Sequence, residues 1–196
     1  MPHLALSDVT AILVTKGDVD LQPILDSLPY RDVRIWNNAD TVLDAKTFGR
    51  WLCAESPGTE RVWYFQDDDV IFRDHDALLR EHRPGLATLN MPSPWYESVQ
   101  ASWEPLYLGM FGGGALVPRY LARAAFAPYL ERYGCDDLFL ELCDLVAGTF
   151  IPWHRVDLGF ETLPQATAPD RICRRPGNEA RRELMRGRVH ELFAAR

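Results

Sequence analysis

Three consecutive carboxylates, Asp67, Asp68 and Asp69, follow the apolar run Val62-Trp63-Tyr64-Phe65 after a single Gln66, and apolar chain resumes at Val70. Like charges this close repel one another, so the cluster costs stability unless a cation neutralises it. Oxygen-only donors select a hard ion, Mg²⁺ or Mn²⁺, which usually keeps positions open for substrate phosphates. The competing reading is a solvated acidic turn in which Asp67 caps a following helix. A second acidic pair, Asp136-Asp137, stands where a helix is predicted to begin, as cap or as general base. Between the two lies Gly112-Gly113-Gly114, whose missing Cβ atoms let the backbone approach a ligand or a neighbouring strand.

The elements that must position these groups follow from periodicity. Val9–Thr15 is a β-rich run ended by Lys16-Gly17-Asp18 and reads as a first strand. Residues 19–29 carry apolar positions at helical spacing, Val33–Trp36 reads as a second strand ending in Asn37-Asn38, and 43–54 as a second helix. Strand, helix, strand in this order is a βαβ unit with parallel strands. Val62–Phe65 is then a buried strand whose C-terminal edge carries the aspartates, the edge at which open α/β sheets bind ligands. Helix is predicted for 74–81, strand for 86–89, and helices for 118–132 and 138–146. The prolines of Asn90-Met91-Pro92-Ser93-Pro94-Trp95-Tyr96 are expected to exclude regular structure there, leaving Trp95 and Tyr96 to stack on a ligand ring or to pack in the core. The expectation is one α/β domain over 1–196, a mostly parallel sheet flanked by helices.

Composition narrows the class. The chain has 196 residues, 47% of them hydrophobic, and six tryptophans, which fits a folded domain with a sizeable core. No apolar run reaches the length of a membrane span, and no basic region precedes the first apolar run as a signal peptide requires. A cytoplasmic location is therefore expected. The net charge of −7 is uneven: seven arginines against two glutamates give +5 over residues 171–188, leaving −12 elsewhere. An Arg-rich C-terminal segment, 171–196, on an acidic body is expected to meet an anion. Cys53, Cys135, Cys143 and Cys173 show no metal-ligand spacing and read as free, mostly buried thiols.

With Thr15, Asn37-Asn38, Asp67-Asp68-Asp69, Gly112-Gly113-Gly114 and Asp136-Asp137 in this order, roughly residues 9–185 resemble the GT-A glycosyltransferases. The likeness is to small family-2-type enzymes, with an exostosin-like note in Cys135-Asp136-Asp137. The resemblance implies a Rossmann-like GT-A fold and a metal-dependent, inverting transfer of sugar from a nucleotide donor, a UDP-sugar above others. It implies Mn²⁺ or Mg²⁺ on Asp67 and Asp69; a third ligand is not evident in the sequence, and His154 and His190 are the candidates for it. It places Thr15, Asn37, Asn38, Asp67, Asp68, Gly113 and Gly114 on the nucleotide sugar, and the charge chemistry of the residues themselves adds Arg50, Arg174 and Arg175 as candidates for its phosphates. Trp95 and Tyr96 fall on the acceptor side, with Asp137 as base and Asp136 beside it. The processive enzymes' arginine-and-tryptophan signature is missing, so a polymerising synthase is not expected. The acceptor reads either as a saccharide or glycolipid hydroxyl or, by likeness to phage-type enzymes and the arginine-rich tail, as a hydroxymethylated base in DNA. No obligate protein partner is evident. The rival classes are a non-catalytic nucleotide-sugar-binding module and a nucleotidyltransferase, for which Lys16-Gly17-Asp18 is a weak match.

Overall fold

Apolar runs too continuous for a strand with one wet face drive β1 (Val9–Thr15) and β3 (Val62–Asp67) into the middle of a sheet. A computed structural model describes residues 4–42, 44–101, 103, 106, 108–164 and 176–195. With β2 (Asp32–Asn37), β5 (Ala87–Asn90), β6 (Ala115–Pro118) and β7 (Trp153–Val156), these strands form a six-stranded sheet in the order β2-β1-β3-β6-β5-β7. β1 is parallel to β2 and β3, and β5 to β7, while β6 alone in this sheet runs against its neighbours β3 and β5. Beside it, β4 (Val70–Ile71) and β8 (Glu161–Thr162) pair antiparallel.

Alternation along the strands divides the core into two layers. Ile12, Trp63, Phe65, Ala115 and Val117 face α2 (Gly49–Ala54), α5 (Arg119–Tyr133), α6 (Asp137–Phe150) and α7 (Asn178–Ala194). Val9, Ala11, Val62, Tyr64 and Leu116 face Tyr30 and the Leu78–Leu79 side of α3 (His75–Glu81). Trp51 of α2 is the hub of the first layer, meeting Phe65 edge-on at 4.8 Å and Phe126 at 5.0 Å between ring centroids.

The α/β class and the one-domain arrangement expected from the sequence are therefore found, with local differences. The predicted helix over 19–29 shrinks to a single turn, α1 (Gln22–Leu25), because Pro23 fits only a first turn and cannot extend a helix begun earlier. The Pro-rich stretch after Asn90 does contain a helix, α4 (Ser93–Ala101): Pro94 falls in its first turn, where a missing N–H costs nothing. The predicted 43–54 helix begins as a 3₁₀ turn at Lys46–Phe48 and continues as α2, Leu43 lying outside the described residues. Cys53 and Cys143 are buried and Cys135 is exposed, all free, and Cys173 lies outside the described residues. Among the described residues no helix is long and apolar enough to cross a membrane.

Under the second layer, His75 is buried with its Nε2 3.1 Å from the Phe72 carbonyl and its Nδ1 3.1 Å from the Tyr30 hydroxyl. A carbonyl only accepts, so Nε2 carries the proton and Nδ1 accepts from Tyr30. Burial lowers the His75 pKa to about 4. The unfolded chain therefore takes up a proton near the ordinary histidine value while the folded one resists it, and stability present above that value is lost as the pH falls toward 4. Between pH 7 and 4.5 this group should remove roughly 2–3 kcal/mol of unfolding free energy. Urea titrations across that range should show a shallower loss for His75→Gln than for the wild type. Identical slopes would mean that His75 is not the titrating group.

Candidate functional site

Parallel register brings the strand ends into one row: Thr15 pairs with Asn37 across β1 and β2, and Val14 with Asp67 across β1 and β3. A cavity of about 460 Å³ opens at this edge. Its floor is Thr15, Asn38 and the Asp67–Asp69 turn; its walls are Lys46 and Arg50, then Glu141 and Asp144 of α6, then Asn178 and Arg182 of α7. The aspartate turn is fixed from beneath. Gln66, fully buried, accepts from the Tyr64 hydroxyl at 2.6 Å and donates to the Val70 carbonyl at 2.7 Å. Leu163 N–H donates to the Asp69 carbonyl at 2.7 Å, and Asp67 N–H to the Gly112 carbonyl at 3.0 Å. Gly112 is required here because a Cβ would stand 2.1 Å from Asp67 Oδ2.

Arg50 supplies the cation that the carboxylate cluster demands. It is buried, its Nη2 lies 2.5 Å from Asp67 Oδ1 and its Nη1 3.5 Å from Asp144 Oδ2. Burial works against its charge, but Asp144 and Asp67 outweigh burial and hold its pKa above the ordinary arginine value. Asp144 accepts from Trp51 Nε1 at 2.8 Å. Burial pushes the Asp144 carboxyl pKa up, Asp67 adds to that, and Arg50 and Trp51 oppose it.

Two backbone departures flank the cavity. Lys46 has φ +49, a left-handed conformation that costs a non-glycine residue about 1–2 kcal/mol. Leu142, between the two α6 carboxylates, leaves helical geometry at φ −121, ψ 19. Lys46 reaches back to Glu141 at 3.9 Å and to Asp137 at 3.6 Å.

The structure unites part of the expected site and disperses the rest. Thr15, Asn38, Arg50, Asp67, Asp68 and Asp69 line the cavity. Asn37 is at the same edge but turned into its own loop, bonding Ala39 N–H and Asp40. Gly113 and Gly114 are not cavity lining; they pack closely on Asn90 and Phe160, and on Phe72, so their close approach is to neighbouring protein. Asp136 is the α6 cap, accepting from Phe139 N–H at 2.8 Å and paired with Arg188 at 2.7 Å. Asp137, one residue on, is 81% exposed and outside the cavity lining. Trp95 meets Phe160 edge-on and Tyr96 lies under Arg155, so both take the packing role. His154 sits on β7 with Nε2 3.0 Å from Thr88 Oγ1, three strand positions and about 14 Å of sheet away from β3. It does not join the aspartates. Arg174 and Arg175 lie outside the described residues.

Glu141, Asp144, Lys46 and Arg182 were not anticipated. The signal was present for two of them: Asp137, Glu141 and Asp144 stand at i, i+4 and i+7, one polar stripe along an otherwise apolar helix.

No protein-family model, no curated protein and no solved structure matches the chain. Its site must be judged by its own chemistry.

For a divalent metal, that chemistry fits in part. Asp67 and Asp69 are hard oxygen donors on one rigid turn, suited to Mg²⁺ or Mn²⁺ held by one or two carboxylates with the remaining positions left to phosphates and water. Among the described residues no set of three or more His, Cys, Asp or Glu converges as a preformed cage. The residues thus suit an ion completed by its substrate.

The seat under Asp67 is open to test. Gly112→Ala should displace the Asp67 carboxylate and destabilise the fold by about 1–3 kcal/mol through overpacking. Gly134→Ala, whose Cβ would meet nothing within 4 Å, carries only the cost of its φ of +74. Chemical denaturation measures both, and the carboxyl ¹³C shift of Asp67 should move only in the first variant.

Proposed function

We propose that the chain is a metal-dependent, inverting glycosyltransferase of the GT-A type, moving a sugar from a nucleotide donor to an acceptor hydroxyl. The observation that carries the reading is the convergence, in one cavity at the C-terminal edge of parallel strands, of the Asp67–Asp69 turn with a mostly buried carboxylate, Asp144, from the opposite wall. A mostly parallel sheet with helices on both faces agrees with the fold that the resemblance implies.

In this reading Asp67 and Asp69 hold the divalent ion, which when bound supplies a Lewis acid for the departing diphosphate. Lys46 and Arg182 put positive charge on the wall that faces the aspartates, and Thr15 and Asn38 shape the floor beneath a nucleoside. The base is Asp144 rather than Asp137. Asp144 faces the cavity, one of its oxygens is fixed by Trp51, and burial raises its proton affinity, as a general base requires. Asp137 is solvent-facing beside Lys46.

The arginine-rich helix bears on the acceptor. Arg181 pairs with Glu141 at 2.9 Å, Arg188 with Asp136 at 2.7 Å and Arg186 with Glu183. The anion that Arg181 and Arg188 meet is the acidic body of the same chain, which favours a saccharide or other small hydroxyl acceptor over hydroxymethylated DNA.

Radiolabelled UDP-sugars should yield free UDP with Mn²⁺ or Mg²⁺, none in EDTA, and none with a folded Asp69→Asn variant. Donor bound without release would instead make the chain a binding module, and full turnover in EDTA would sink the metal role. At saturating Mn²⁺, Asp144→Asn should lower turnover by roughly 10²-fold with donor affinity nearly unchanged, while Asp137→Asn stays within a few-fold of wild type. The reverse ranking would return the base to Asp137.

A further inference from the structure

Arg50 is bonded unevenly to two carboxylates on two different elements. Toward β3 it makes one short bond, Nη2 to Asp67 Oδ1 at 2.5 Å. Toward α6, Nη1 lies 3.5 Å from Asp144 Oδ2 without forming a hydrogen bond, and both Nη1 and Nε are buried with no hydrogen-bond partner. Leaving buried donors of a charged group unmade is costly, so this guanidinium has unspent bonding capacity on its Asp144 side. Asp67 Oδ2 packs against Gly112, and Oδ1 is the oxygen that Arg50 holds. A divalent ion at Asp67 and the Arg50 guanidinium therefore compete for the charge of one carboxylate.

We propose that Arg50 is an exchangeable internal counter-ion, neutralising Asp67 until a divalent cation arrives, then yielding that carboxylate and completing its bonds to Asp144. The inference rests on the metal role proposed for Asp67 and adds a positioning residue that acts through it. Arg50 thereby sets the resting affinity low, so that the cation is held well only when donor phosphates contribute ligands of their own. Lys46, which lines the same cavity, is placed differently: it pairs with Asp137 and Glu141 of α6. Simple removal of positive charge from the cavity is therefore separable from loss of the exchange.

The test is Mn²⁺ binding to the full chain without donor, read from the electron-paramagnetic-resonance signal of free Mn²⁺. Arg50→Gln should bind Mn²⁺ about ten-fold tighter than wild type, whereas Lys46→Gln, which removes an equal charge, should change affinity by less than about three-fold. Asp144→Asn, which leaves Arg50 with Asp67 as its one charged partner of the two, should weaken Mn²⁺ binding by about five-fold or more; Glu141→Gln should stay within about three-fold. Near-UV circular dichroism checks each fold, and should Arg50→Gln not fold, the Asp144 and Glu141 pair decides alone, since both retain Arg50. Wild-type binding with Arg50→Gln no tighter, or with Asp144→Asn no weaker than Glu141→Gln, overturns the exchange and leaves the metal role standing. No Mn²⁺ bound by wild type or by Arg50→Gln overturns both.

Discussion

Excess negative charge at one edge of a parallel sheet is the constraint to which the rest of this molecule answers. Three aspartates leave β3 in succession, and α6 brings Glu141 and Asp144 to face them across the same cavity. In water such carboxylates would drift apart; here the strand register and the bonds of Gln66 hold them together. The compensation is spread over three elements. Arg50 of α2 takes Asp67 and Asp144, Lys46 takes Glu141, and Arg181 of α7 takes Glu141 from the other side. Replacing Arg50 leaves the mostly buried Asp144 without its cation, a larger penalty than losing a surface ion pair.

The same constraint explains where charge sits along the chain. A basic C-terminal stretch and an acidic body read in isolation as a protein seeking an external polyanion. Folded, Arg181 and Arg188 are the partners of Glu141 and Asp136, with Met185, Val189 and Leu192 supplying the apolar seat. Charge asymmetry between segments can thus be an instruction for docking one helix on another.

What was legible in the sequence was whatever depends on local pattern. Unbroken apolar runs placed β1 and β3 at the sheet centre, and the position of Asp67 at the end of one run placed the carboxylates at a ligand-binding edge. What was not legible depends on which face of a helix meets the sheet. Asp137 and Asp144 are equally acidic on paper, and seven residues return nearly to the same side of a helix; the departure at Leu142 and the bond from Trp51 separate a solvent-facing carboxylate from a cavity-facing one. Similarly, Gly113 and Gly114 announce close approach without saying to what, and the neighbours turned out to be Asn90, Phe160 and Phe72. His154 was misplaced because strand order is not chain order: β7 pairs with β5, at the far side of the reversed strand β6.

The cavity wall contributed by Asn178 and Arg182 has a consequence for how the molecule comes into being. Its floor begins at Thr15, so the enclosure draws on both ends of the described chain and exists only once translation has passed the start of α7. Until then a nascent chain carries the carboxylates of β3 and α6 without Arg181 and Arg182, and its apolar α5–α6 surface lacks the Met185, Val189 and Leu192 cover. Docking of α7 therefore closes the hydrophobic layer and balances the acidic edge together, and a chain stopped short of it has neither.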